Sequence, residues 1–313
     1  MEKLRTIFMG TPDFAVPCLD MLVTEGYQVA AVVTQPDRPK GRGQKLAYSP
    51  VKEAAIAYSL PVLQPTSLKD DDFYSQIKTL KPDTIIVVAF GQFLPKRLLD
   101  LPPLGCINVH ASLLPKYRGS APIHWAIING ETTTGITTMY MDVGMDTGDM
   151  ILKAEIPILP TDTTGSLHDK LKDLGATVLS ETLRKLSTGQ VPRQPQNETE
   201  ATYARMLNRE TERIDWHQPA TTIHNLVRGL NPWPVAYCKY QNKSWKIWQT
   251  KVYNEFEVCS KPGRIAQITK EGIIVETGKG TIEVLEVQPE SKRRMRAGEC
   301  VCGYCLSVGD MFE

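Results

Sequence analysis

Asn108, His110 and Asp146 supply an amide, an imidazole and a carboxylate, each beside a turn signal at the end of an apolar run. A carbonyl attacked by an amine needs such a set. It needs a donor for the developing oxyanion, a titratable proton handler, and a carboxylate to set the charge of the imidazole. In an extended chain Asn108 and His110 point to one face, because alternate residues do. A lone histidine is more often structural than catalytic. Here the neighbouring amide, the turn from Ser112 to Pro115 and the distant Asp142–Asp146 loop weigh toward a site.

The elements that must hold these groups alternate between strand and helix. Thr6–Met9 is a short apolar strand ended by Gly10-Thr11-Pro12-Asp13, followed by helical spacing from Phe14 to Thr24. Val29–Val33 is a second strand, and Ser49-Pro50 opens a helix over Val51–Tyr58. Thr84–Ala89 is continuously apolar and β-branched, as a buried parallel strand should be. Cys106–Val109 and Ile136–Met139 complete the pattern, which predicts a doubly wound, mainly parallel, Rossmann-like α/β sheet. Ligands bind beyond the carboxyl ends of such strands. The Phe90-Gly91-Gln92 turn, Asn108/His110 and the Asp142–Asp146 loop each follow a strand and are expected to converge.

The alternation breaks at Gly189–Asn197, where polar residues and two prolines mark a linker. The organisation expected is a catalytic part over 1–188, a linker over 189–208 and a smaller part over 209–313. In that last part a helical stretch from Arg209 to about Leu230 precedes five short β runs. These predict a small barrel of the oligonucleotide/oligosaccharide-binding (OB-like) type.

Several alternatives fall away. Pro12 occupies the place of the second glycine of a dinucleotide fingerprint, so close approach of a pyrophosphate is not expected. Seven cysteines, an odd number, and an N-terminus without a secretory h-region predict free thiols and a cytoplasmic protein. Cys300, Cys302 and Cys305 contain a C-x-x-C spacing but lack a second pair at finger-like distance, so no metal is expected. No apolar stretch is long enough to span a bilayer, so no membrane partner is expected. A net charge of +1 gives no global pull on a polyanion, which leaves local basic patches. Arg38, Lys40, Arg42 and Lys45 crowd one glycine-punctuated loop containing a single acid; an ordinary solvated loop is the simpler reading of the residues alone. Lys239, Lys243, Lys246 and Lys251 interleave with aromatics in the last part. Those aromatics are read as core, and the lysines as a shallow electrostatic surface.

The stretch Asn108-Val109-His110-Ala111-Ser112-Leu113-Leu114-Pro115 and the loop Met141–Asp149 resemble the longest signatures of the folate-dependent formyltransferases. Thr11–Ala15 and Arg228-Gly229-Leu230-Asn231-Pro232-Trp233-Pro234 are similar to the branch that acts on methionyl-tRNA. The resemblance covers nearly the whole chain. It implies transfer of the formyl group of 10-formyltetrahydrofolate, a co-substrate, to the α-amine of methionyl initiator tRNA. It implies a catalytic trio of Asn108, His110 and Asp146. Folate contacts are implied at Phe90, Gly91, Gln92 and Leu94, at Ser112, Leu113, Leu114 and Pro115, and at Asp142 and Gly144. It implies tRNA contacts from Arg38, Lys40, Arg42, Lys45, Arg209 and Lys246, with Arg42 the reader at the acceptor end. A monomer suffices. Formyltransferases acting on a nucleotide-sugar amine or on glycinamide ribonucleotide stay open within the family, and a folate- or RNA-binding module outside it. Met206 and Val235 depart from the branch, which often carries lysine at the first position and usually glycine at the second.

Overall fold

The computed structural model describes residues 3–40, 45–189, 191–256, 258–304 and 306–313. The chain divides into two compact units, one of residues up to 122, 133–156 and 168–204, the other of 123–132, 157–167 and 205–313. The segment 191–204, polar in sequence, therefore packs with the first unit.

In chain order, β1 (Arg5–Gly10) leads through α1 (Val16–Thr24) to β2 (Gln28–Val33). A hairpin of β3 (Arg38–Lys40) and β4 (Lys45–Ala47) precedes α2 (Pro50–Ala57) and a two-residue β5 (Val62–Leu63). The start of α2 is fixed locally: the Ser49 hydroxyl accepts the Lys52 N–H at 3.1 Å, and Pro50 fills a first-turn position that needs no donor. Next come α3 (Asp71–Thr79), β6 (Thr84–Val88), α4 (Lys96–Leu99), β7 (Cys106–His110) and β8 (Arg118–Gly119). They are followed by α5 (Pro122–Ile128), β9 (Thr133–Tyr140), β10 (Met150–Pro157), α6 (Thr164–Ser187) and β11 (Tyr203–Ala204).

The main sheet has the order β10-β9-β7-β6-β1-β2-β5. From β7 to β5 the neighbours are parallel, whereas β9 runs antiparallel to β7. Every residue of β6 is buried, which is why its sequence is apolar after Thr84, whose hydroxyl donates to the Gly105 carbonyl at 2.8 Å. Ile7, Met9, Ile85, Val87 and Cys106 form one core with Phe73, Ile77 and Leu98 from α3 and α4. On β7 and β9, α6 packs closely: Gly175 lies beside Val109, and the Thr138 and Thr182 hydroxyls bond at 2.7 Å. Neither β5 nor β10 is among the strands expected from sequence. β5 is too short to carry a period, and β10 is an edge strand whose exposed Lys153 and Glu155 blunt the open side.

The second unit holds α7 (Ala220–Gly229), β12 (Tyr237–Tyr240), β13 (Lys243–Asn254), β14 (Ile265–Ile268), β15 (Ile273–Glu276), β16 (Thr281–Pro289), β17 (Met295–Arg296) and α8 (Ala297–Tyr304). Its strands pair antiparallel in the order β12-β13-β16-β15-β14, with β17 on β16. The last residues bridge the two ends of this path. Met311 pairs with Arg264 next to β14, and Glu313 exchanges two 2.8 Å backbone bonds with Lys239 of β12. The helix expected from Arg209 begins only at Ala220. Pro219 has no N–H and disfavours helix in the residue before it, and the Asp215 carboxylate is spent on a turn with His217 and Gln218.

Candidate active site

Asn108 and His110 extend the row begun by Cys106 along one face of β7, and both are nearly buried. Asp146 reaches them by a route that strand direction alone does not provide. Because β9 is antiparallel, Tyr140 lies opposite Ile107, and the loop after β9 must turn back to bring Asp146 against the strand. Its Oδ1 accepts from Asn108 Nδ2 at 3.4 Å, and its Oδ2 lies 3.7 Å from His110 Nδ1. Oδ2 also accepts the Gly119 N–H at 2.8 Å.

The tautomer of His110 follows from its other contact. Nε2 lies 2.9 Å from the Tyr117 carbonyl oxygen, which can only accept, so Nε2 carries a proton. Nδ1, the other ring nitrogen, faces Asp146.

Around the trio, backbone position is set by polar contacts. The Thr137 hydroxyl donates to the Ser112 carbonyl at 2.7 Å and accepts the Leu114 N–H at 3.1 Å. Gly119 cannot be replaced freely, since it has a φ of +118° and an added Cβ would lie 2.7 Å from the Ala204 carbonyl oxygen. That close approach is the pairing of β8 with β11. Arg118, fully buried, donates from Nε to Gln196 Oε1 at 3.0 Å and grips Glu198 with two bonds of 2.9 and 2.8 Å. Glu198 raises the already high pKa of the guanidinium, and Arg118 holds the Glu198 carboxyl below its ordinary range. Gln196 donates from Nε2 to the carbonyls of Asp146 and Gly148, at 2.7 and 2.8 Å. Sequence reasoning passed over Arg118, Gln196 and Glu198, and polar residues in a proline-containing stretch carry no periodic signal that would have found them.

The remaining sequence candidates fall into different settings. Phe90 is buried in the core, and its carbonyl accepts from Gln35 Nε2 at 3.3 Å. Gly91 adopts φ +82°, Gln92 donates to Gln35 Oε1 at 3.1 Å, and Leu94 is buried. Of Ser112, Leu113, Leu114 and Pro115 only Leu113 is half-exposed, and the Ser112 hydroxyl is spent on the Lys116 carbonyl. Asp142 is exposed and closes its own loop, accepting the Gly144 N–H at 2.9 Å and the Thr147 hydroxyl at 2.6 Å. Val143, Met145 and Phe93 stand out to solvent around these turns.

Arg38 is exposed on β3, and Lys40 and Lys45 are register partners across the hairpin; their side chains, and Arg42 entirely, lie outside the described residues. Arg209 lies 3.6 Å over the Tyr237 ring and is paired with Glu212 at 2.6 Å, so its charge is largely committed. Lys246 Nζ is 3.5 Å from the Pro234 carbonyl oxygen. Cys305 and the side chain of Cys302 lie outside the described residues. Burial pushes the Cys300 thiol up to about 11, which makes it a poor nucleophile at neutral pH. Among the described residues no cluster of His, Cys, Asp or Glu could hold a metal ion, and no helix is long and apolar enough to cross a membrane.

Residues 3–183 match the formyl transferase family and residues 206–305 its C-terminal domain. Methionyl-tRNA formyltransferase of Acetivibrio thermocellus is 54% identical over 98% of this chain and 99% of that protein. The protein of the same name from Clostridioides difficile is 52% identical, with 98% and 99% covered. Among solved structures, WlaRD, a sugar 3N-formyl transferase crystallised in the presence of dTDP and 5-N-formyl-THF, superposes with a TM-score of 0.68 at 18% identity, covering 94% of this chain and all of that one.

Proposed function

We propose, because the chain belongs to the formyl transferase family and stands with the methionyl-tRNA formyltransferases within it, that it moves the formyl group of 10-formyltetrahydrofolate onto the α-amine of methionyl initiator tRNA. One observation carries the mechanism: a single carboxylate, Asp146, meets the Asn108 amide, Nδ1 of His110 and the Gly119 N–H. An α-amino group has a pKa of about 8, so a usable fraction is neutral at pH 7 and needs no strong base. Its nitrogen attacks the formyl carbon, and the carbonyl oxygen takes up negative charge. Asn108 Nδ2 donates to that oxygen, and His110, with both ring nitrogens protonated, donates a second bond from Nδ1. Asp146 takes the proton released by the new C–N bond and returns it, directly or through water, to the folate nitrogen as the old C–N bond breaks. Positioning and charge stabilisation carry most of the rate.

The exposed Phe93, Val143 and Met145 offer apolar surface of the kind a pterin ring covers, and the turns at Phe90–Leu94 and Asp142–Gly144 offer backbone donors and acceptors for its edge. Docking of the tRNA is assigned to the β3–β4 hairpin and to the second unit, through the exposed Arg209 and the half-buried Lys246. All three groups of the trio come from one unit of one chain, so a monomer suffices, and the cytoplasm, where initiator tRNA is charged, is the compartment this reading assigns. The test is a competition: purified protein and 10-formyltetrahydrofolate with charged initiator tRNA, free methionine or a nucleotide-linked amino sugar. Formylation of the tRNA alone is expected, and preference for the sugar would overturn the reading. Arg42→Ala is expected to raise the tRNA KM at least tenfold with full-length tRNA, and unchanged kinetics would free Arg42 of its role.

A further inference from the structure

We propose that Gln196, locked by the buried Arg118, is a positioning residue that sets the Asp146 carboxylate for catalysis; the proposal rests on the formyl-transfer reading above. Asp146 is held in the left-handed region, at φ +54°, uncommon for a residue other than glycine although aspartate tolerates it better than most. Contacts from two sides hold the bend. The side-chain amide of Gln196 bonds the carbonyls on both sides of Thr147, those of Asp146 and Gly148, and so clamps the bend from behind. Arg118 accounts for the orientation of that amide: its Nε–H must meet an acceptor, so the Gln196 oxygen faces Arg118 and the nitrogen faces the loop. Glu198 fixes the guanidinium with a bidentate pair, so the clamp has no free rotor. The same Arg118 is joined through its peptide bond to Gly119, whose N–H holds Asp146 Oδ2. One short segment thus fixes Asp146 at its backbone through Gln196 and at its carboxylate through Gly119. The Gln196 amide bonds the backbone carbonyls of Asp146 and Gly148 rather than the Asp146 carboxylate, so its effect passes through the position of Asp146.

The test compares Gln196→Ala, Gln196→Glu and Arg118→Lys with the wild type in formylation of methionyl initiator tRNA, with Lys78→Ala, on the exposed side of α3, as a surface control. Two readouts separate positioning from general damage: the split between kcat and KM, and hydrogen exchange at the Gly119 amide without substrates. A kcat at least tenfold lower is expected, with KM for both substrates within threefold and Gly119 exchange faster; Lys78→Ala should change neither. Gln196→Glu keeps the size but turns an oxygen toward two carbonyls, and should be as impaired as Gln196→Ala. A folded Gln196→Ala variant within twofold of wild-type kcat overturns the proposal. So does a loss confined to KM, or a fall in kcat with Gly119 protection unchanged. A wild type that does not formylate the tRNA sinks the functional reading instead, while the exchange readout still reports whether Gln196 holds Asp146.

Discussion

Asp146 is where several modest interactions add to one defined geometry. A left-handed backbone at a non-glycine residue costs on the order of 1–2 kcal/mol, less for aspartate than for most residue types. Against this stand the bonds from Gly119 and Gln196. Asp146→Asn keeps the shape, but its side chain must either aim its NH2 at one of the two donors, Gly119 N–H or Asn108 Nδ2, or turn away from them. Turnover should fall at least a hundredfold, and His110→Ala should fall comparably. Asn108→Ala removes a donor to the oxyanion, a loss of about 10²–10³ in kcat where such donors have been removed. Each variant should keep the wild-type circular dichroism and melt within a few degrees of it. A folded variant with near-full kcat removes that residue from the mechanism. Val235 is another left-handed residue, at φ +80° and buried, with a β-branched side chain. The turn thus keeps a conformation suited to glycine while carrying a valine.

At the scale of elements, the β3–β4 hairpin is rooted in a polar chain that runs to the Phe90 turn. Lys52 Nζ donates to Asp37 Oδ2 at 2.6 Å and to Gln64 Oε1 at 2.8 Å. Gln64 Nε2 reaches the Gln35 carbonyl at 2.9 Å and Asp37 Oδ1 at 2.8 Å, and the Gln35 side chain meets the Phe90 carbonyl and Gln92. The bond from Lys52, then that from Gln64, holds the Asp37 carboxyl below its ordinary range. A depressed carboxyl contributes stability that is present above its unfolded-state pKa and is lost as pH falls through the lowered folded value. Lys52→Met should therefore melt lower than wild type at pH 7, with the difference shrinking on acidification below about pH 4; a gap constant with pH would show that Asp37 is not the partner that matters. It should also weaken folate and tRNA capture together if the chain couples the two loops. Legibility in the sequence follows the same physics. β6 was readable because burial on both faces leaves only apolar residues after Thr84, and α2 because Ser49-Pro50 states its own start. The pairing of Arg118 with Glu198, eighty residues apart in sequence, was not, because polar groups are satisfied by partners that local pattern does not specify. Likewise Asn108 and His110 were placed on one face by strand period. Asp146 needed a loop that turns back on an antiparallel strand, which periodicity cannot express.

For the molecule as a whole, every partner of the trio lies in the first unit, while the second is held by its own aromatic core. Phe312 anchors that core: it stacks on Trp216 at 5.8 Å and meets the rings of Tyr240 and Trp245. It also belongs to the terminal stretch that bridges β12 and β14, so one side chain serves both packing and closure of the strand path. Phe312→Ala should cost about 3–5 kcal/mol in the stability of the second unit, the usual range for emptying a buried aromatic site. With most domains stable by only about 5–15 kcal/mol, moderate warming would then unfold it first. Urea melts followed by tryptophan fluorescence would measure the loss. The assay that matters is formylation at a temperature where the second unit of the variant is unfolded and the first is not. A chain of net charge +1 has no long-range field to gather tRNA, so local basic surface must do it. The tRNA KM should then rise steeply and the salt dependence of capture should flatten, because phosphate contacts have been lost. The folate KM should hold, since its proposed contacts are all in the first unit. A tRNA KM that survives loss of the second unit would move docking to the hairpin alone and leave the second unit without the role assigned to it.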